Sequence, residues 1–157
     1  MTLSPLQLKH YHFTSVSVAS RVGVDLSSLE RVEGLYPIID DKVNFRTDIE
    51  LGEMEGDKNF ALRVGVSGEP KEDSNFPYEF SATTEGVFEY IGEEDGDTMK
   101  RIVVINGAGL LYGAIRDQLM TLTARLNYGP MLLPSLDFRS LEPECQEATA
   151  AVASEQK

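Results

Sequence analysis

The strongest constraint on this chain is an unbroken alternation. Val43, Phe45, Thr47, Ile49 and Leu51 share one phase, and Asn44, Arg46, Asp48 and Glu50 lie between them. Side chains alternate faces along a strand, so this segment reads as an amphipathic β-strand. Gly56-Asp57 is a turn signal, and Phe60, Leu62, Val64 and Val66 alternate again after it. Strand, short turn and strand make an antiparallel hairpin. After the polar connection Gly68 to Asn75, Phe76 to Tyr90 reads as a further strand, with Tyr78, Phe80, Ala82 and Thr84 on one face. A phase change is expected near Gly86, as a bulge or bend, before Phe88 and Tyr90.

Leu6 to Val18 also alternates, but its phase slips. Leu6, Leu8, Val16 and Val18 occupy one phase, while Tyr11 and Phe13 occupy the other. This predicts a long strand with a bulge, or one that is apolar on both faces. Ala19 to Lys42 is irregular, punctuated by Gly23, Gly34, Pro37 and Asp40-Asp41, with one turn of helix expected around Ser27 to Val32. A connection of this length inside a compact domain points to function or to partial disorder.

Past Asp95-Gly96 the period changes. The run Ile102-Val103-Val104-Ile105 fits a short helix or a strand. Leu110, Leu111, Ala114, Ile115, Leu119, Leu122 and Leu126 recur at spacings of three and four, so an amphipathic helix is expected over Gly109 to Leu126, ended by Gly129-Pro130. The Glu/Ala-rich stretch from Asp137 to Ala153 is expected to form a C-terminal helix. Strands first and helices last is an α+β order: a four-stranded antiparallel sheet, a long amphipathic helix and a C-terminal helix. We read residues 1–141 as one domain and 142–157 as an acidic, Ala-rich tail.

Composition excludes several function classes. The net charge of −12 opposes binding to a phosphate backbone or an anionic membrane. The same acidity favours solubility and attracts basic or unfolded partners. No apolar run approaches the roughly 18–20 residues needed to cross a bilayer. Met1 to Pro5 carries no basic or apolar leader pattern, so no secretory signal is expected. Cys145 is the single cysteine and cannot form an intrachain disulfide, which fits a reducing compartment.

Candidate chemistry is sparse. Gly107, Gly109 and Gly113 form G-x-G-x-x-x-G after an apolar run, a pattern that in a dinucleotide fold brings backbone close to a pyrophosphate. No second parallel strand ending in an acidic residue follows, which favours a tight helix junction and close packing instead. His10 and His12 share a face, two ligands short of an identifiable metal site. Glu93, Glu94, Asp95 and Asp97 read as a solvated turn, not a catalytic pair. There is no G-x-S-x-G elbow, and Cys145 has no neighbouring histidine. The aromatic row Tyr78, Phe80, Phe88 and Tyr90 suits either a sheet core or a groove for apolar segments.

The residues taken together resemble the SecB family of protein-export chaperones over Leu6 to Leu141. The resemblance rests on the opening strand Leu6 to Val18, on Phe60 to Val66, on Glu85-Gly-Val-Phe88, and above all on Leu111 to Asp117 followed by Leu132-Leu-Pro-Ser-Leu-Asp-Phe138. Arg116-Asp117 matches the family's Arg-acidic pair. Tyr112-Gly113-Ala114 departs from its usual Phe-Pro-Tyr start, and the tail from Glu142 departs from the segment that engages the SecA motor. The resemblance implies an ATP-independent, cytoplasmic holdase without catalytic residues, metal or cofactor. Its partners would be unfolded or pre-export polypeptides and the SecA export motor, and its assembly a homotetramer built as a dimer of dimers. It implies a client groove at Leu35, Tyr36, Ile38, Tyr78, Phe80, Leu119, Met120 and Leu133, and a subunit contact at Tyr78, Phe80, Ala82 and Thr84. Leu132, Leu133 and Phe138 would pack the loop after the helix. Two alternatives are a SecB-like adaptor dedicated to one partner, such as an antitoxin, and a nucleotide-binding enzyme using Gly107 to Gly113.

Overall fold

A computed structural model describes residues 2–140. Strands β1 (Leu6–Ser20), β4 (Val43–Glu53), β5 (Asn59–Pro70) and β6 (Tyr78–Tyr90) form one antiparallel sheet in the order β1-β6-β5-β4. Two short strands, β2 (Arg31–Val32) and β3 (Tyr36–Pro37), pair in the long connection. Helix α1 (Gly96–Thr123) covers one face of the sheet, and a 3-10 turn, η1 (Phe138–Ser140), follows. The α+β class is as expected from the strand-first order. The expected tail and most of the expected C-terminal helix lie outside the described residues.

The slipped phase of β1 has a direct structural cause. Its register against β6 shifts between Leu8 and His10 and again between Phe13 and Ser15. Each extra residue turns the pleat by one step. Leu6, Leu8, Tyr11, Phe13, Val16 and Val18 then pair with Tyr90, Phe88, Gly86, Thr84, Ala82 and Phe80, all on the inner face. The bulge expected at Gly86 is absent: β5 and β6 stay in register from Asn59↔Glu89 to Gly68↔Phe80. Gly86 instead makes room for the helix, since a Cβ there would lie 2.9 Å from a Leu111 methyl.

The helix starts earlier than its sequence pattern suggests. Met99, Val103, Val104, Ala108, Leu111, Tyr112, Ile115 and Leu119 are all buried. The ambiguous apolar run is therefore the first half of α1, continued straight through the glycines. The helix stops at Thr123, short of Leu126. The Thr123 hydroxyl donates to the Leu119 carbonyl at 2.7 Å and accepts from the Met131 N–H at 2.7 Å, which turns the chain back along the helix.

The outer sheet face is polar, with acidic and basic side chains alternating across it. Glu50, Arg63, Glu85 and His12 stand side by side across all four strands. Arg63 lies 3.4 Å from Glu50 and 3.9 Å from Glu85, and His12 lies 3.8 Å from Glu85. Exposed pairs of this kind add little stability, about 0–1 kcal/mol each. They do leave a single face, the one under α1, to carry the core.

Glycines in α1 divide by position. A Cβ on Gly107 would sit 2.8 Å from a methyl of Leu62, which is only 1% exposed, whereas Gly109 and Gly113 face open space. Gly107→Ala is expected to destabilise the fold by about 1–3 kcal/mol through overpacking. Gly109→Ala and Gly113→Ala are expected to stabilise it by up to about 1 kcal/mol each, because alanine is the better helix former. Urea unfolding of the three variants checks the contrast.

Candidate functional site

The connection from β1 to β4 joins opposite edges of the sheet, so it must cross the sheet's end. Arg21 anchors its start, donating to the carbonyls of Ser74 at 2.7 Å and Phe76 at 2.9 Å. The Asp25 carboxylate accepts from the Ser27 N–H and from both the Ser27 and Ser28 hydroxyls. These bonds hold its pKa below the ordinary carboxylate value. They also replace the turn of helix expected at Ser27 to Val32, because side-chain acceptors compete with the helix ladder. Glu33 and Gly34, both at positive φ, close the β2–β3 hairpin. Arg31 braces the hairpin by donating to Leu35 O at 2.9 Å and ties it to the segment after α1 by donating to Tyr128 O at 3.0 Å.

On the other side of this crossover lies the segment after the helix. Tyr112 is buried and donates to the Pro134 carbonyl at 2.6 Å, while its ring meets Phe138 edge-on with centroids 5.6 Å apart. Burial pushes its pKa up to about 12. Tyr78 donates to the Gly129 carbonyl at 2.6 Å, and its own pKa is raised by burial. Between crossover and segment lies a cavity of about 260 Å³, lined by Val32, Pro37, Ile38, Ile39, Arg116 and Leu132 to Ser135. Its lining is apolar apart from Arg116 and Ser135.

The expected groove residues separate into two sets. Ile38 and Leu133 line this cavity, with Ile38 36% exposed and Leu133 buried as its floor. Leu35, 58% exposed, and half-buried Tyr36 stand in the hairpin beside it. Half-buried Met120 lies one turn beyond Arg116 without lining it. Tyr78, Phe80 and Leu119, by contrast, are at most 3% exposed. They belong to the core cluster under α1, as does Ala82, and Thr84 is buried there with them. A single chain thus already covers the aromatic row of β6, which was expected to floor the groove and meet a second subunit. Arg116 was noticed in the sequence only as half of a pair, and its place in the cavity was missed. Helix periodicity puts it on the flank between buried Tyr112 and Ile115 and exposed Asp117, which is the available signal.

The other candidates resolve locally. Gly107, Gly109 and Gly113 lie in mid-helix, where backbone N–H groups serve the helix ladder. They form no loop able to cradle a phosphate, which overturns the nucleotide reading. His10 and His12 are stacked with ring centroids 5.4 Å apart on the outer sheet face. Glu94, from the acidic turn, accepts a hydrogen bond from Tyr90, and this bond, together with burial, pushes the tyrosine up to about 12. No helix among the described residues is long and apolar enough to cross a membrane.

The raised tyrosines set an alkaline limit. A group with its folded pKa raised contributes stability that is full below its unfolded value, about 10, and lost as pH rises through the folded value. Stability is therefore expected to fall between pH 10 and about 12 as Tyr112 and Tyr90 ionise. Tyr112→Phe should cost about 1 kcal/mol at neutral pH for the lost bond to Pro134. It should also flatten the alkaline limb, as measured by urea unfolding across pH.

No protein-family model matches the chain. It is 29% identical over 105 residues to the uncharacterized protein MJ0357 of Methanocaldococcus jannaschii, a match covering 67% of each chain. Among solved structures it is similar to the Rv1957 SecB-like chaperone of Mycobacterium tuberculosis, determined in complex with a ChAD peptide from the Rv1956 HigA1 antitoxin. That match has a TM-score of 0.51 at 17% identity and covers 83% of this chain and 90% of that one. A protein of unknown function from Streptococcus agalactiae aligns with a TM-score of 0.48 at 16% identity, covering 83% and 97% of the respective chains. At the level of fold, the resemblance read from the sequence holds: the matched 83% of the chain shares the fold of a SecB-like chaperone.

Proposed function

We propose that the protein is an ATP-independent chaperone that holds unfolded polypeptides in the cleft between the crossover and the segment after α1. The observation that carries this reading is the crossover's exposed apolar surface. Val22, Leu26, Val32, Leu35 and Ile38 all present apolar side chains to water. A soluble domain rarely keeps so many on one connection unless they bind something. The cleft floor at Leu133 and Leu132 continues this surface inward. Buried apolar area supplies affinity at about 25 cal/mol per Å² before ordering costs, and no fixed sequence is required of the client. The acidic surface favours clients with basic flanks. Neither catalysis nor a cofactor enters this mechanism.

The finer reading is a cytoplasmic homotetramer, a dimer of dimers, that serves protein export, with the SecA motor as downstream partner. Apolar surface left open on the single chain supports assembly: Leu8 and Tyr11 on the edge strand β1, and Leu110 and Leu122 on α1. Several clefts on one assembly would add avidity for a long client. The subunit contact expected at Tyr78, Phe80, Ala82 and Thr84 is proposed to act from beneath, by fixing the shape of the β1 edge. A second reading, a chaperone dedicated to one partner, is favoured by the antitoxin peptide held by the similar Mycobacterium tuberculosis fold.

Light scattering on the protein with an unfolded client separates the readings. General holdase activity predicts a tetramer that co-elutes with the client and suppresses its aggregation. A protein that ignores unfolded chains but co-purifies with one partner favours the dedicated adaptor. Leu35→Ser combined with Ile38→Ser is expected to cut aggregation suppression several-fold. Stability should stay within about 0.5 kcal/mol, because both side chains are at the surface. Unchanged suppression by that variant removes the crossover from the binding surface.

A further inference from the structure

The cleft has one feature that a merely apolar groove lacks. Arg116 enters it from the flank of α1, half-buried, and its Nε–H is sealed from water with no acceptor in reach among the described residues. No ion pair reaches its guanidinium among the described residues either. One carbonyl of the lining segment, that of Pro134, is already taken by the Tyr112 hydroxyl. Across the cleft, Val32, Pro37, Ile38 and Ile39 offer no charged group. Four other arginines are engaged: Arg21 and Arg31 on carbonyls, Arg63 on Glu50 and Glu85, Arg139 on Asp137.

A sealed donor without a partner is costly, and an ionised one more so. The Arg116 Nε–H is closed to any incoming group, and the part of the guanidinium that a ligand can meet is its terminal Nη edge. A carboxylate presents two oxygens to that edge, and such charge-assisted pairs are about twice as strong as neutral ones. The apolar walls exclude water and strengthen the attraction. With a net charge of −12, the rest of the protein repels acidic segments, so Arg116 is a local exception in the field of the molecule.

We propose that the cleft recognises an extended apolar segment carrying one carboxylate, an Asp or Glu side chain that pairs with Arg116 while its neighbours fill the space between Ile38 and Leu133. This rests on the polypeptide-binding reading and adds a selectivity to it. The occupant is a polypeptide of stated chemistry, apolar with a single acid. The cavity, about 260 Å³, has room for a few side chains and not for a folded domain.

The test uses two capped, fluorescein-labelled peptides of leucine and valine that differ only at a central Asp or Asn, titrated by anisotropy into the intact protein. The Asp peptide is expected to bind about tenfold more tightly. In Arg116→Met, which keeps the apolar stem and removes the charge, the preference for the Asp peptide over the Asn peptide should vanish. Arg116→Lys, a point charge without the fork, should restore only part of it. Equal binding of the two peptides by a protein that still holds unfolded client overturns the carboxylate selectivity and leaves the holdase standing. A preference that survives in Arg116→Met overturns the role of Arg116. Binding of neither peptide, with no retention of unfolded client, overturns both readings. The comparison on the unaltered protein stands even if a variant fails to fold.

Discussion

Everything in this fold depends on how closely α1 lies on the sheet. Gly86 on β6 and Gly107 on α1 leave the two surfaces without a Cβ where they meet, and Leu62, Phe88 and Leu111 fill the space around them. The contact buries Leu62, Phe88, Val103, Ala108, Leu111 and Ile115 almost completely. Close-packed interiors tolerate little change of volume, so the height of the helix above the sheet is fixed to within a methyl group. That height in turn decides where Tyr112 and Arg116 stand, one turn apart on the helix flank. Tyr112 seizes the returning chain at Pro134, and the space left beside Arg116 is the cleft.

The second determinant is the pinning of an irregular connection by regular structure. Arg21 and Arg31 donate to main-chain carbonyls, and Tyr128 donates to the Arg21 carbonyl at 3.0 Å. Charged donors on neutral carbonyls suit such work, because hydrogen bonds to a charged group are stronger than ordinary ones. They pin the crossover and leave Leu26, Leu35 and Ile38 exposed, while Ile39 packs against the core. A long connection fixed this way keeps its apolar side chains on view.

Much of this was legible in the sequence where one physical signal acted alone. Alternation at Val43 to Leu51 and Phe60 to Val66 gave the hairpin, because each strand has one wet and one buried face. The slipped phase of Leu6 to Val18 announced irregularity, and the structure resolves it into two bulges. Signals that compete were harder to read. Gly107 and Gly109 are poor helix residues, yet burial of Val103, Val104 and Ala108 on the same stripe overrides them. Asp25, with two serines downstream, can cap a helix or close a turn, and only the surrounding chain decides. The aromatic row of β6 had the composition of a binding surface and is core, since alternation reports that a face is buried without saying what buries it. Periodicity places Arg116 on the helix flank and no further; its isolation is a property of three segments brought together.

The bulged edge has a bearing on what this protein must avoid. A free strand edge is open to any extended chain, including the clients proposed above, and an unbroken edge is a template for fibre growth. In β1 the ladder is interrupted after Leu8 and again after Phe13. Along this edge an incoming strand can match only short stretches before its register fails, whereas β4, at the opposite edge, keeps an unbroken register.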